Sequence, residues 1–131
     1  MTVTAAQLAV PSHTCIHFTD SAPPQAELAG QGLFVADIGG GAVHTEEELF
    51  EAVARALRFP DDFGGSWDAV DKCLRDLDWL NDASGYVLII RNSQHAWTGH
   101  HQMAGELHHS WLRAGEEWAR REKPFHLVFE W

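Results

Sequence analysis

The sequence predicts a small α/β domain of three-layer type, with helices packed on a parallel sheet. Two observations lead there. Short apolar runs alternate with helix-period segments in the order strand, helix, helix, strand, helix, strand, which calls for parallel strands joined by right-handed crossovers. The chain has 131 residues and is 45% hydrophobic, enough for one real core and too little for two. No internal repeat or low-complexity tract interrupts it.

Residues 1–32 are the least decided part. "HTCIHFT" (His13–Thr19) alternates enough to add an N-terminal edge strand, whereas Pro23, Pro24, Gly30 and Gly32 make the following stretch a loop. "LFVADI" (Leu33–Ile38) is the first clear strand, ended by Gly39–Gly41. Thr45, with Glu48 three residues on, signals a capping box; Leu49, Val53, Ala56 and Leu57 carry a helix to Phe59, ahead of Pro60. A second helix follows Gly64-Gly65, with Ser66 or Gly65 as N-cap, and runs to about Leu80. "GYVLII" (Gly85–Ile90) is a short β-branched strand. The stretch "TGHHQMAGELHHSWLRAGEEWARRE" is a long helical region weakened by Gly99, Gly105 and Gly115, and "FHLVFEW" (Phe125–Trp131) is the last strand.

The formal charge of -10 is uneven: residues 1–82 hold 14 acids and 4 bases, and residues 83–131 hold 5 of each. Residues 59–82 alone carry 7 acids against Lys72 and Arg75, half of the net excess. Such a chain offers no basic face to release phosphate counterions, so nucleic acid and anionic membrane surfaces are disfavoured as partners. A basic protein partner is favoured, because a field of one sign steers the opposite sign toward it; the plain alternative is a solvated face that keeps the chain soluble. Two cysteines are too few for a disulfide framework, Met1 opens no signal-peptide pattern, and "YVLII" is far short of a membrane span. A reduced, cytoplasmic compartment is expected.

The segment "FPDDFGGSWDAVDKCLRDLDWL" (Phe59–Leu80) concentrates the interest. Trp67, Val70, Leu74 and Leu77 recur at helical spacing and form a buried stripe, leaving Asp68, Asp71, Lys72 and Arg75 on the other side. The helix dipole favours Asp68 and Asp71 in the first turns. Asp68–Lys72, Asp71–Arg75 and Lys72–Asp76 have the spacing of i,i+4 ion pairs, each worth about 0.3–0.5 kcal/mol when exposed. Asp61, Asp62 and Asp68 lack an obvious local cation.

This segment, followed by "GYVLII", a helix and "FHLVFEW", resembles the barstar family of intracellular ribonuclease inhibitors. The shared pattern is a Pro, an aromatic-Gly loop, an Asp-Ala pair opening a helix, a Cys-Leu further along it, and then a strand. The resemblance covers roughly Leu33–Trp131, which divides the chain into an extension over 1–32 and a barstar-like domain over 33–131. It implies a three-stranded parallel sheet whose neighbouring loop and second helix plug a basic nuclease active site, carboxylates standing in for substrate phosphates. By position, Phe63-Gly64 fall on the aromatic-Gly loop, Asp68 on the Asp that contacts the nuclease, and Cys73 on a core cysteine. Lys72 stands where the inhibitor carries its most important Asp, Asp71 where it has Trp, and Asp62 where it has Tyr. Glu116 or Glu117 is nearest to the acid that the inhibitor uses on its last helix. The docking surface so implied comprises Asp62, Phe63, Gly64, Gly65, Ser66, Asp68, Asp71, Lys72, Arg75 and Glu117. The expected partner is a basic protein such as a secreted ribonuclease or toxin, and the chain is expected to be a cytoplasmic antitoxin or immunity protein, a monomer when free. A regulatory or interaction module with a non-nuclease partner is the rival reading.

Enzyme readings are weaker. "GGSWD" resembles a nucleophile elbow, but Asp68 occupies the place of the second Gly. "DIGGGAVHT" lacks both the third Gly of a dinucleotide turn and the Lys of a P-loop, so it reads as a plain turn. His100, His101, His108 and His109 share one helical region, and Glu106 and His109 have ligand spacing, yet no pattern completes a metal set. No catalytic residue, cofactor or metal is expected. Trp97, Trp111 and Trp118 are read as packing residues, with Trp67 and Trp79 split between core and rim.

Overall fold

The computed structural model describes residues 3–80 and 82–131. The chain runs α1 (Ala5–Leu8), β1 (Ile16–Thr19), α2 (Gln25–Ala29), β2 (Leu33–Gly39), α3 (Glu46–Ala56), α4 (Trp67–Asp76), β3 (Gly85–Arg91), α5 (Ser93–Gly99), α6 (His101–Arg120) and β4 (Phe125–Glu130). The strands form one parallel sheet in the order β1-β4-β3-β2. The sheet therefore has four strands, not the three that the family resemblance implies. The added strand is the N-terminal edge strand foreshadowed by His13–Thr19. Its ladder is extended at both ends, where Leu127 N–H donates to Cys15 O and Trp131 N–H to Thr19 O, both at 2.8 Å.

Alternation along the strands sorts the core into two layers. Ala36, Ile38, Tyr86, Leu88, Ile90, Phe125, Leu127 and Phe129 meet the apolar stripes of α3, α4 and α6 in one cluster. Leu33, Val87, Ile89 and Val128 meet Val3, Ala5, Leu8 and Leu28 in the other, so the N-terminal segment supplies the third layer. With both faces covered, β3 and β4 are buried almost end to end, which is why they read as continuous apolar runs rather than as polar-apolar alternation.

The helix ends explain where expectation and structure part. Thr45 caps α3 and Ser66 caps α4, each accepting the N–H of the residue three positions on. Helix α4 stops at Asp76, short of Leu80, because Leu77 adopts the left-handed conformation (φ 50°) and drops fully buried into the core. Residues Asp78–Leu80 then form a 3-10 turn whose Trp79 indole N–H donates to Leu57 O at 2.8 Å. The long C-terminal helical region is two helices that meet at His100, whose φ of -142° and ψ of 48° break the ladder. Gly115 has a packing role: a Cβ there would lie 2.7 Å from Cys15 Sγ, so its bareness lets α6 approach the start of β1.

Candidate functional site

The Pro60–Ser66 loop is built from the inside outward. Phe63 turns inward, half-buried, with its ring edge-on to Phe59 (centroids 5.1 Å) and Phe50 (6.3 Å). Its N–H donates to Pro60 O at 3.0 Å, closing the turn. Gly65 holds φ at +68°, a conformation that favours glycine, and leads into the Ser66 cap, where Oγ accepts the Ala69 N–H at 3.1 Å. Trp67 packs on Phe50 (4.9 Å) and donates its indole N–H to Glu46 at 2.9 Å, tying the head of α4 to α3. The loop is thus anchored by aromatic packing while Asp61, Asp62, Gly64, Gly65, Ser66 and Asp68 stay exposed. Among the described residues no ion pair involves Asp61, Asp62 or Asp68.

Further along α4 the chemistry changes. Asp71 is clasped by Arg113 of α6, whose Nη2 and Nε reach both carboxylate oxygens at 3.0–3.2 Å. The i,i+4 pair expected with Arg75 is not formed; Arg75 Nε instead donates to the Asp71 carbonyl at 3.2 Å. Arg113 wins because α6 lies directly across from α4 and its guanidinium can fork onto the carboxylate. Arg121 reaches the Arg75 carbonyl at 2.9 Å, satisfying a carbonyl in the last turn of α4. Glu117 is bonded by Arg120 and by Arg121, and the Arg120 hydrogen bond and charge hold its carboxyl below the usual carboxylate range. Lys72, Arg75, Arg113, Arg120 and Arg121, with Asp76, Glu116 and Glu117, line the open groove between the two helices.

The ten residues of the expected docking surface therefore separate into two zones. Asp62, Phe63, Gly64, Gly65, Ser66 and Asp68 lie together at the loop and the head of α4, with free carboxylates. Asp71, Lys72, Arg75 and Glu117 border the groove, where cations outnumber acids and both Asp71 and Glu117 are already bonded to arginines. Sequence reasoning missed Arg113, Arg120 and Arg121. Their spacing from Glu117 on α6 puts them on one helical face, but only the packing shows that this face meets α4. Cys73 is buried beneath the surface; burial first, and then the carboxylates of Asp62 and Asp76, raise its thiol above the ordinary value, the opposite of a reactive thiolate.

An acid-tipped loop and a capped helix thus stand on a parallel α/β domain. The chain belongs to the Barstar (barnase inhibitor) family, whose profile matches residues 33–130. No curated protein matches it significantly. Among the described residues no helix is long and apolar enough to cross a membrane.

Proposed function

We propose that this chain is a cytoplasmic inhibitor that captures a basic partner, a secreted ribonuclease or related toxin of the same cell, and plugs its active site without chemistry of its own. The observation that carries the reading is the set of exposed carboxylates at Asp61, Asp62 and Asp68, which form no ion pair among the described residues, on a loop closed by its own hydrogen bonds. Preformed acids can stand in for substrate phosphates at little ordering cost, and a field of one sign speeds encounter with a cationic cleft. Phe63 and the Ser66 cap hold the loop, Gly64 and Gly65 let a partner's backbone come close, and Asp62 and Asp68 make the charged contacts. Asp71 and Glu117 contribute less to this contact than their positions on the family pattern suggest, since arginines already hold them.

A second reading is favoured by one specific observation. Lys72 is exposed in the groove beside Arg75, where the family pattern has its principal acid, and a desolvated lysine repels a cationic catalytic centre. On that reading the domain is an interaction module whose partner is not a nuclease. The two separate in a capture experiment on the source cell's culture medium, with wild type and Asp68→Ala as baits at low and high salt. The inhibitor reading expects a basic protein with ribonuclease activity that is released by salt and lost with Asp68→Ala. Capture of a partner indifferent to both, without nuclease activity, supports the interaction module.

A further inference from the structure

The turn after β2 and the start of α5 are pressed together by glycines. A Cβ at Gly40 would lie 2.8 Å from Arg91 O, and one at Gly41 would lie 2.7 Å from the Asn92 side-chain amide. The glycine run that reads as a plain turn is thus what allows the β2–α3 connection to lie against the β3–α5 connection. Two histidines from distant parts of the chain meet as a result: His95 Nε2 lies 3.4 Å from His44 Nδ1. The break between α5 and α6 adds the third, and the His100 ring sits 5.9 Å from that of His44 and 5.7 Å from that of His95.

From this geometry we infer that His44, His95 and His100 form a binding site for a divalent transition cation of the zinc class. One potential ligand atom from each of the three residues lies within 4.8 Å of the others. Zinc–imidazole bonds of about 2.0–2.1 Å in a tetrahedron demand nitrogens about 3.3–3.4 Å apart. The His44–His95 pair is at that separation, and a His100 ring nitrogen lies within 4.8 Å of both. Each ligand rides on anchored backbone: the His44 N–H donates to Glu48 Oε1 at 3.0 Å, and the His100 N–H to Ala96 O at 2.7 Å. The recess beside His44 and His100 is lined by Glu46 and Glu106, with no Lys or Arg among its described residues, so its field favours a cation. Three imidazoles leave the fourth position open to water or to an outside ligand, and imidazole donors select zinc, copper, nickel or cobalt over magnesium or calcium. The site lies beyond the C-terminal ends of β2 and β3, the end of a parallel sheet where ligands gather. Through Glu46, which also accepts the Trp67 indole N–H, it adjoins the head of α4.

The test is calorimetric titration of the metal-stripped full chain with ZnCl2, and separately with MgCl2. A single saturable zinc site is expected, with no magnesium binding. His44→Ala and His95→Gln should each weaken zinc at least about ten-fold, no less than the loss of a ligand's outer-shell partner does. His109→Ala, on the exposed face of α6 away from this cluster, serves as the control and should leave binding unchanged. Circular dichroism of each variant shows that it is folded; His44 is exposed, so its variant decides the matter if His95→Gln does not fold. With cobalt in place of zinc, the visible band of a tetrahedral site should appear in wild type and be lost in His44→Ala. Absence of saturable zinc binding, or binding untouched by His44→Ala but lost in His109→Ala, overturns the inference.

Discussion

The Asp71 carboxylate and the Arg113 guanidinium share a forked contact between two helices, with the carboxylate side chain 19% and the guanidinium 55% exposed. A double-mutant cycle on Asp71→Asn and Arg113→Gln should give a coupling of about 0.5–1 kcal/mol in urea unfolding, the upper range for a partly exposed pair. A coupling near zero would mean that the contact is ornamental and that Asp71 is available to a partner. A pair of histidines, His126 buried and His17 half-buried, makes a second prediction. His17 Nε2–H donates to His126 Nδ1 at 2.9 Å, and His126 Nε2–H to Val10 O at 2.9 Å, an arrangement that uses both rings in their neutral form. Burial, and then the neighbouring His126, lowers His17 from 6.5 to about 4, and burial lowers His126 as well. Between those values the unfolded chain binds protons that the folded chain refuses, so stability is full above about 6.5 and falls as pH drops toward 4. Thermal melting followed down that range should show the loss, and His17→Gln should flatten it; an unchanged slope would contradict the pairing. Neither contact is legible in the sequence, because Asp71–Arg113 and His17–His126 join residues with no periodic relation.

At the scale of elements, the strands and the capped helices were readable, for local reasons. Ser66 and Thr45 cap through their own side chains three residues away, and the stripe of Val70 and Leu74 is set by helical period alone. The premature end of α4 and the break at His100 were not readable, since each depends on what the chain meets next: a core that takes Leu77, and the β2–α3 turn beside His100. Gly115 and Gly105 look alike as helix weakeners in sequence, yet only Gly115 faces another chain segment. Gly105→Ala should stabilise the fold by about 0.5–1 kcal/mol through helix propensity. Gly115→Ala should instead destabilise it by about 1–3 kcal/mol, since its Cβ would drive into the buried Cys15 thiol. Denaturant midpoints of the two variants give the signs directly, and two stabilising results would remove the packing argument.

For the whole molecule, the first 32 residues have the clearest consequence. Val3, Ala5, Leu8 and Leu28 cover the face of the sheet that α3, α4 and α6 leave open, although the family profile begins at residue 33. Sequence reasoning read the stretch that holds α2 as a loop, because its flanking prolines and glycines outweigh five residues, and α1, with four residues, is too short to show a period. Leu8→Ala, at a fully buried position, should cost about 2–5 kcal/mol in global stability. A near-neutral result would make the segment a dispensable appendage. The acid at the loop and the basic groove between α4 and α6 give the surface its two signs. The decisive experiment is the inhibition constant against a purified basic ribonuclease secreted by the source cell, for wild type, Asp62→Ala and Asp68→Ala, at low and high salt. Tight inhibition is expected, weakening with salt and at least about ten-fold with each substitution, equivalent to about 1.4 kcal/mol or more. No inhibition by wild type, or inhibition indifferent to both carboxylates and to salt, would contradict it.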